Sequence, residues 1–223
     1  MAESCLLYYI TDRAAFPGDD RARRLRLLDK IAEGASHGVD YIQLREKNMS
    51  ARDLESLTRE AMRMIREVKA ASGVRRPASA LLVNSRADVA LASGAAGVHL
   101  RAGDVSSGEV RAAWAGSARE ISPREPLIAV SCHSPEEVVQ AAEEQANFAV
   151  FAPVFEKRDA PGTSSTGLEA LRRACRATIP VLALGGVTLG NAESCLRAGA
   201  AGIAAIRLFQ ENDIGTIVQK LRG

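Results

Sequence analysis

Short apolar runs alternate with longer amphipathic stretches from one end of the chain to the other. The runs occupy positions 6–10, 41–44, 80–83, 98–100, 127–130, 148–151, 181–184 and 203–206. Their lack of polar alternation predicts strands buried on both faces, as in a parallel sheet covered by helices. Between them the pattern changes to a helical period, most clearly over 20–36, 51–71, 135–145, 166–176 and 189–198. Over 51–71, Leu54, Leu57, Ala61, Met64, Ile65 and Val68 fall on one stripe, with arginines and glutamates opposite. Ser50 precedes this stretch as an N-cap, with Asp53 in the place of the capping-box acid. The segments 73–79 and 114–126 carry glycine and proline and read as surface connections.

Strand–helix units repeated in this way predict a single α/β domain over residues 1–223, a (β/α)8 TIM barrel of compact size. An open doubly wound sheet is the competing architecture, and the even spacing favours closure. A short recurrence points the same way: Gly94-Ala-Ala-Gly97 leads into one strand and Gly199-Ala-Ala-Gly202 into another. In each, the first glycine reads as a left-handed helix cap and the second as the entry to a buried strand.

Composition narrows the function. The 29 basic and 27 acidic side chains leave a net charge of +2, too little for a nucleic-acid footprint. Aromatic content of 4% offers few stacking surfaces. No run approaches the ~18 apolar residues of a membrane span, and the opening MAESCLLYYITDR lacks the basic region of a secretory signal. The cysteines show neither C-x-x-C spacing nor the density of a disulfide scaffold. The expectation is a cytoplasmic protein acting on small molecules, without nucleic-acid or membrane partners. Oligomeric state stays open, homo-oligomers being frequent among such barrels.

In this fold, chemistry sits at the C-terminal strand ends. The second strand ends in Gln43-Leu44-Arg45-Glu46-Lys47, and alternation places Gln43, Arg45 and Lys47 on one side. Two cations and an amide suit phosphate or diphosphate, unless Arg45 merely pairs with Glu46 at the rim. The third strand ends in Asn84-Ser85-Arg86, the fourth runs from His99 to Asp104, and the fifth ends in Ser131-Cys132-His133-Ser134. Ser134 with Pro135 reads as a helix start and His133 as a candidate site residue. His99 reads as a hydrogen-bonded core histidine and Cys132 as a small packed apolar residue. The segment 153–167, rich in glycine, serine and charge, reads as a lid, with Thr166 alternatively an N-cap. Gly185-Gly186 after the seventh strand and the backbone at Ile206 and Arg207 after the eighth suit a phosphate cup.

Together these residues resemble the thiamine-phosphate synthase and thiazole tautomerase superfamily. The likeness runs through YYITDR, YIQLREK, LLVNSRADVALASGAAGVHL, VSCHSPEEV, PVFE and IPVLALGGVTLGNAESCLRAGAAGIAAI. It implies a (β/α)8 transferase of thiamine biosynthesis that joins hydroxymethylpyrimidine diphosphate to a thiazole phosphate. Diphosphate leaves, a pyrimidine-methyl cation forms, and the thiazole nitrogen captures it. By this resemblance Gln43, Arg45, Lys47 and Asn84 hold the diphosphate, and Lys47, Ser131 and His133 are the catalytic candidates. Gly186, Ile206 and Arg207 hold the thiazole phosphate, and Asp104 helps bind Mg²⁺.

The departures from the synthase pattern are informative. N-D-R becomes Asn84-Ser85-Arg86, and G-Q-x-D becomes Arg101-Ala102-Gly103-Asp104. A threonine- and lysine-rich lid becomes Glu156-Lys157-Arg158-Asp159. With one carboxylate lost to Ser85, Mg²⁺ would lean on waters and phosphate oxygens, and Lys157 or Arg158 could replace the missing charge. Tautomerases of the superfamily share a Val154-Phe155-Glu156-like turn and a histidine matching His133, suited to moving a proton near neutral pH. Lys47 and Asp104 favour the synthase; Ser85, Ala102 and the lid favour the tautomerase. A silent protein binding thiazole or thiamine phosphate is a third reading, and the synthase is expected first.

Overall fold

A computed structural model describes residues 5–72, 78–121, 125–156 and 164–223. Strands β1 (Leu6–Ile10), β2 (Tyr41–Leu44), β3 (Ala80–Asn84), β4 (Gly97–Leu100), β5 (Leu127–Cys132), β6 (Phe148–Phe151), β7 (Val181–Ala183) and β8 (Gly202–Ala205) pair in chain order into a closed barrel. All pairings are parallel, and β8 returns to β1 through Leu6–Gly202 and Tyr8–Ala204. The predicted closure is therefore present, and the open sheet is excluded. Helices α1 (Asp20–Ser36), α2 (Ala51–Ser72), α3 (Ala87–Ser93), α4 (Ser107–Ile121), α5 (Pro135–Glu143), α6 (Gly167–Ala174), α7 (Ala192–Arg197), α8 (Arg207–Gln210) and α9 (Ile214–Arg222) connect or flank the strands.

Pleating splits each strand between two cores. Inward positions Tyr8, Ile10, Leu82, Ala129, Phe148, Val150, Leu182 and Ala204 fill the barrel. Outward positions such as Leu7, Ile42, Val83, Val98 and Ile203 join the larger core beneath the helices. At the N-terminal end, the Tyr41 and Phe148 rings stack with centroids 4.7 Å apart, and Tyr8 meets Phe148 edge-on at 5.6 Å. This plug closes the bottom and leaves the opposite end for polar groups. The recurrent glycines have a matching cause. A β-carbon on Gly97 would lie 1.8 Å from the Leu127 carbonyl oxygen, and one on Gly202 would lie 2.0 Å from that of Leu6. Gly94 and Gly199 carry the left-handed φ values of 72° and 103° expected of caps.

The segment 114–126 is not the expected surface connection: α4 runs through Ile121. Val110 and Trp114, one turn apart, are both buried, and this narrow stripe holds a helix that its glycine and serine content obscured. Helices α3, α8 and α9 were likewise not singled out by periodicity. Of 73–79, positions 73–77 lie outside the described residues, as do 157–163 of the proposed lid. Ser50 and Ser134 cap as expected: the Ser50 hydroxyl accepts from Asp53 N–H at 3.2 Å and that of Ser134 from Glu137 N–H at 3.1 Å. Among the described residues, no helix is long and apolar enough to cross a membrane.

Candidate active site at the barrel mouth

The end of β2 sorts its side chains by parity. Gln43 points into the barrel and is buried, Arg45 is half-buried and Lys47 exposed. Glu46, with opposite parity, turns away from them. Its carboxylate accepts from Thr11 Oγ1 at 3.1 Å, from Arg13 N–H at 3.3 Å and from Arg13 Nε at 3.3 Å. The Thr11 hydroxyl in turn accepts from Arg45 N–H at 3.0 Å. Glu46 thus clamps the β2 end to the loop after β1 and is not available to neutralise Arg45. Burial pushes the Glu46 carboxyl upward, against the lowering effect of these partners. Among the described residues neither the Arg45 guanidinium nor the Lys47 ammonium has an ion-pair partner. Inside the barrel the pKa of His99 is depressed chiefly by burial, and the Arg45 charge adds to the effect. Among the described residues these two cations enter no ion pair, an arrangement that suits an incoming polyanion.

Below them lies a floor of inward polar groups. The Gln43 amide N–H donates to Asn84 Oδ1 at 2.8 Å, and Asn84 Nδ2 donates to the Ser85 hydroxyl at 3.1 Å. The Gln43 carbonyl oxygen is buried without a partner among the described residues. A buried acceptor left alone is costly unless a ligand supplies a donor. His99 bonds through both ring nitrogens, as expected of a core histidine, but one of its partners is Ser131 of β5 at 2.7 Å. It belongs to this floor. That role was missed from the sequence, although its inward parity with Asn84 across the β3–β4 ladder carries the signal.

At the end of β4, Asp104 accepts from Arg101 N–H at 2.8 Å and from the Arg101 guanidinium at 3.2 Å, with the Ser85 hydroxyl close enough to favour its ionised form. Burial works to raise its pKa, but these hydrogen bonds outweigh it and hold the carboxyl below its ordinary value. Among the described residues no group of three or more acidic, histidine or cysteine side chains is placed to hold a metal ion. The residues present do not fit a protein-held Mg²⁺ site. A hydroxyl stands where a second carboxylate would be, and an arginine already engages Asp104.

The remaining candidates ring the mouth. His133 is exposed, and its Nδ1 lies 2.7 Å from the Ala152 carbonyl oxygen. A carbonyl can only accept, so Nδ1 carries a proton and donates it to Ala152. The His133 N–H is held by Glu137 Oε2 at 2.6 Å. Cys132 is fully buried, and burial pushes its thiol up to about 12, which makes it inert as expected. Gly185 and Gly186 carry φ of 93° and 62° where the loops after β6 and β7 cross. A β-carbon on Gly186 would lie 2.5 Å from the Glu156 carbonyl oxygen. Ile206 packs against the inner core and Arg207 opens α8, both directly beyond β8. Thr166 precedes α6 without capping it; its hydroxyl donates to the Pro153 carbonyl at 2.9 Å, tying the far end of the lid segment to the end of β6. The expected lid cations Lys157 and Arg158, with Asp159, lie outside the described residues.

A profile of the thiamine monophosphate synthase family (TMP-TENI) matches residues 7–209. The chain belongs to this family. It is 36% identical over 221 residues to a thiamine-phosphate synthase of Methanoculleus marisnigri, covering 97% of this chain and 93% of that protein. A putative thiamine-phosphate synthase of Geobacter sulfurreducens is 39% identical over 203 residues, covering 90% and 84%. Among solved structures, thiamine phosphate pyrophosphorylase from Pyrococcus furiosus superposes with a TM-score of 0.76 at 28% identity, covering 99% of this chain and 95% of that one. The family resemblance read from the strand-end motifs is thereby established over nearly the whole barrel.

Proposed function

We infer that this family member is a thiamine-phosphate synthase. It joins hydroxymethylpyrimidine diphosphate to thiazole phosphate and releases diphosphate. The C–O bond between the pyrimidine methylene and the diphosphate breaks, and its electron pair leaves with the phosphate oxygen. The thiazole nitrogen lone pair then forms the new C–N bond. The observation that carries this reading is the pair of uncompensated cations, Arg45 and Lys47, above a neutral polar floor. Arg45 binds the departing diphosphate through its planar fork and Lys47 through a point charge, so both stabilise charge that grows as the bond breaks. Asn84, bonded to Gln43 below, is the further candidate for the diphosphate. The Gln43 carbonyl, short of a donor, suits the amino group on the pyrimidine rather than a phosphate, which has no N–H to give; this narrows the role expected of Gln43. The apolar barrel interior below excludes water from the cation. Gly186 and the backbone at Ile206 and Arg207 receive the thiazole phosphate.

Magnesium enters this reading only with the diphosphate, because Asp104 and Ser85 do not form a site for it. The tautomerase reading keeps one supporting observation, the exposed His133, whose ring is held through Nδ1 by the Ala152 carbonyl. The deciding experiment supplies both substrates to purified protein and follows diphosphate and thiamine phosphate by mass spectrometry. One-to-one formation of the two products is expected. No product from folded protein, together with aromatisation of the thiazole carboxylate tautomer supplied alone, would replace the synthase with the isomerase.

A further inference from the structure

Three groups beneath the mouth form a series that the substrate contacts above do not use. Tyr8 of β1, His99 of β4 and Ser131 of β5 occupy inward positions. Tyr8 Oη lies 3.0 Å from His99 Nδ1, and His99 Nε2 lies 2.7 Å from Ser131 Oγ. The connectivity is that of a nucleophilic triad: a hydroxyl, an imidazole and an orienting group. In such a triad the orienting group is an acceptor. It keeps the ring proton on Nδ1, so that Nε2 can take the proton of the hydroxyl.

Here the orienting group is a phenol. Tyr8 is fully buried, walled by the rings of Tyr41 and Phe148. Among the described residues its hydroxyl has no partner other than His99. A buried O–H without an acceptor is strongly disfavoured, so the phenol donates to Nδ1. Nor can it shed the proton, since burial holds its pKa well above the ordinary value. The ring itself stays neutral. Burial first, and then the charge of Arg45, hold His99 down to about 3 against a smaller opposing effect of Asp104. A neutral ring that accepts at Nδ1 must carry its proton on Nε2, and Nε2–H then donates to Ser131 Oγ.

We infer that the Tyr8–His99–Ser131 series runs in the reverse sense of a nucleophilic triad: it locks His99 as the Nε2–H tautomer and makes Ser131 a hydrogen-bond donor toward the mouth. Ser131 receives a proton contact from His99 and keeps its own for an acceptor atom of the ligand, a ring nitrogen or a phosphoryl oxygen. Neither Ser131 nor His99 acts as nucleophile or base; Tyr8 and His99 are positioning residues. The tautomer stands on the geometry and burial of the series, whereas the kinetic consequence rests on the synthase reading.

Two measurements test it. Long-range ¹H–¹⁵N correlation on ligand-free, ¹⁵N-histidine-labelled protein reads the tautomer directly, with His99→Gln used to assign the signal. The expected result is a protonated Nε2 and a bare Nδ1, unchanged from roughly pH 5 to 9. A ring protonated on Nδ1, or on both nitrogens, overturns the inference. In kinetics, a glutamine amide places an N–H where Nε2 was, and an asparagine amide places one where Nδ1 was. His99→Gln should keep kcat/KM within a few-fold of the parent, while His99→Asn and Ser131→Ala each lose about tenfold, the weight of one hydrogen bond. Rescue by Asn equal to that by Gln would contradict the stated polarity. An Nε2–H tautomer in a protein that fails the two-substrate assay would instead sink the synthase reading and leave the series intact.

Discussion

At the scale of single residues, alternation along β2 was the most legible feature. It separates Gln43, Arg45 and Lys47 from Glu46 by sequence parity alone. The fate of Glu46 was not legible, because its partners Thr11 and Arg13 come from a loop more than thirty positions away and only closure of β1 onto β2 brings them together. His99 illustrates the same limit. Its burial was evident, but membership of the site required knowing that Ser131 lies beside it on the neighbouring strand β5. A pH prediction follows from it. His99 is depressed from 6.5 to about 3 by burial and then by Arg45, so the unfolded chain takes up a proton below about 6.5 that the native state refuses. Stability therefore falls as pH falls through this window, at up to about 1.4 kcal/mol per pH unit. Glu46, raised in the native state, works in the opposite sense, gaining stability as pH falls, but it is common to parent and variant. Denaturant unfolding across the window should show a steeper acid loss for the parent than for His99→Gln. Parallel curves would mean that His99 is not buried as a neutral ring.

At the scale of elements, strands were read almost to the residue, since runs buried on both faces leave a strong apolar signal. Helices were less uniform. The broad stripe of α2 was plain, whereas among the described side chains α3 and α4 present only three buried positions each. Cap chemistry was legible because Ser134-Pro135 announces a helix start locally, and Ser134→Ala should cost about 1 kcal/mol in chemical denaturation. The strand-entry glycines carry a larger effect. A methyl group at Gly97 would meet the Leu127 carbonyl oxygen at 1.8 Å and force β4 from β5. Gly97→Ala should lose about 3 kcal/mol or more, or fail to fold. A stable variant would show that the two strands pack less closely than described.

The whole molecule couples these levels. Ring stacking plugs the N-terminal end of the barrel, and the inward polar groups Gln43, Asn84, His99 and Ser131 lie toward the C-terminal end. With Asp104 engaged by Arg101 and Ser85 in place of a carboxylate, the free protein should show no saturable Mg²⁺ binding by titration calorimetry at millimolar concentration. Restoring a carboxylate with Ser85→Asp should introduce it. Saturable binding by the parent protein would overturn this description of the Asp104 site.

The most direct test is calorimetric titration of inorganic diphosphate into the parent, Arg45→Ala, Lys47→Ala and Glu46→Gln proteins, each with folding confirmed. Loss of a charge-assisted contact of about 1.5–3 kcal/mol should weaken binding roughly ten- to hundredfold in the Arg45 and Lys47 variants. Glu46→Gln, altered on the opposite side of the same strand end, should bind nearly as the parent does. Equal affinity across all four proteins would contradict the assignment of these two cations to the departing diphosphate.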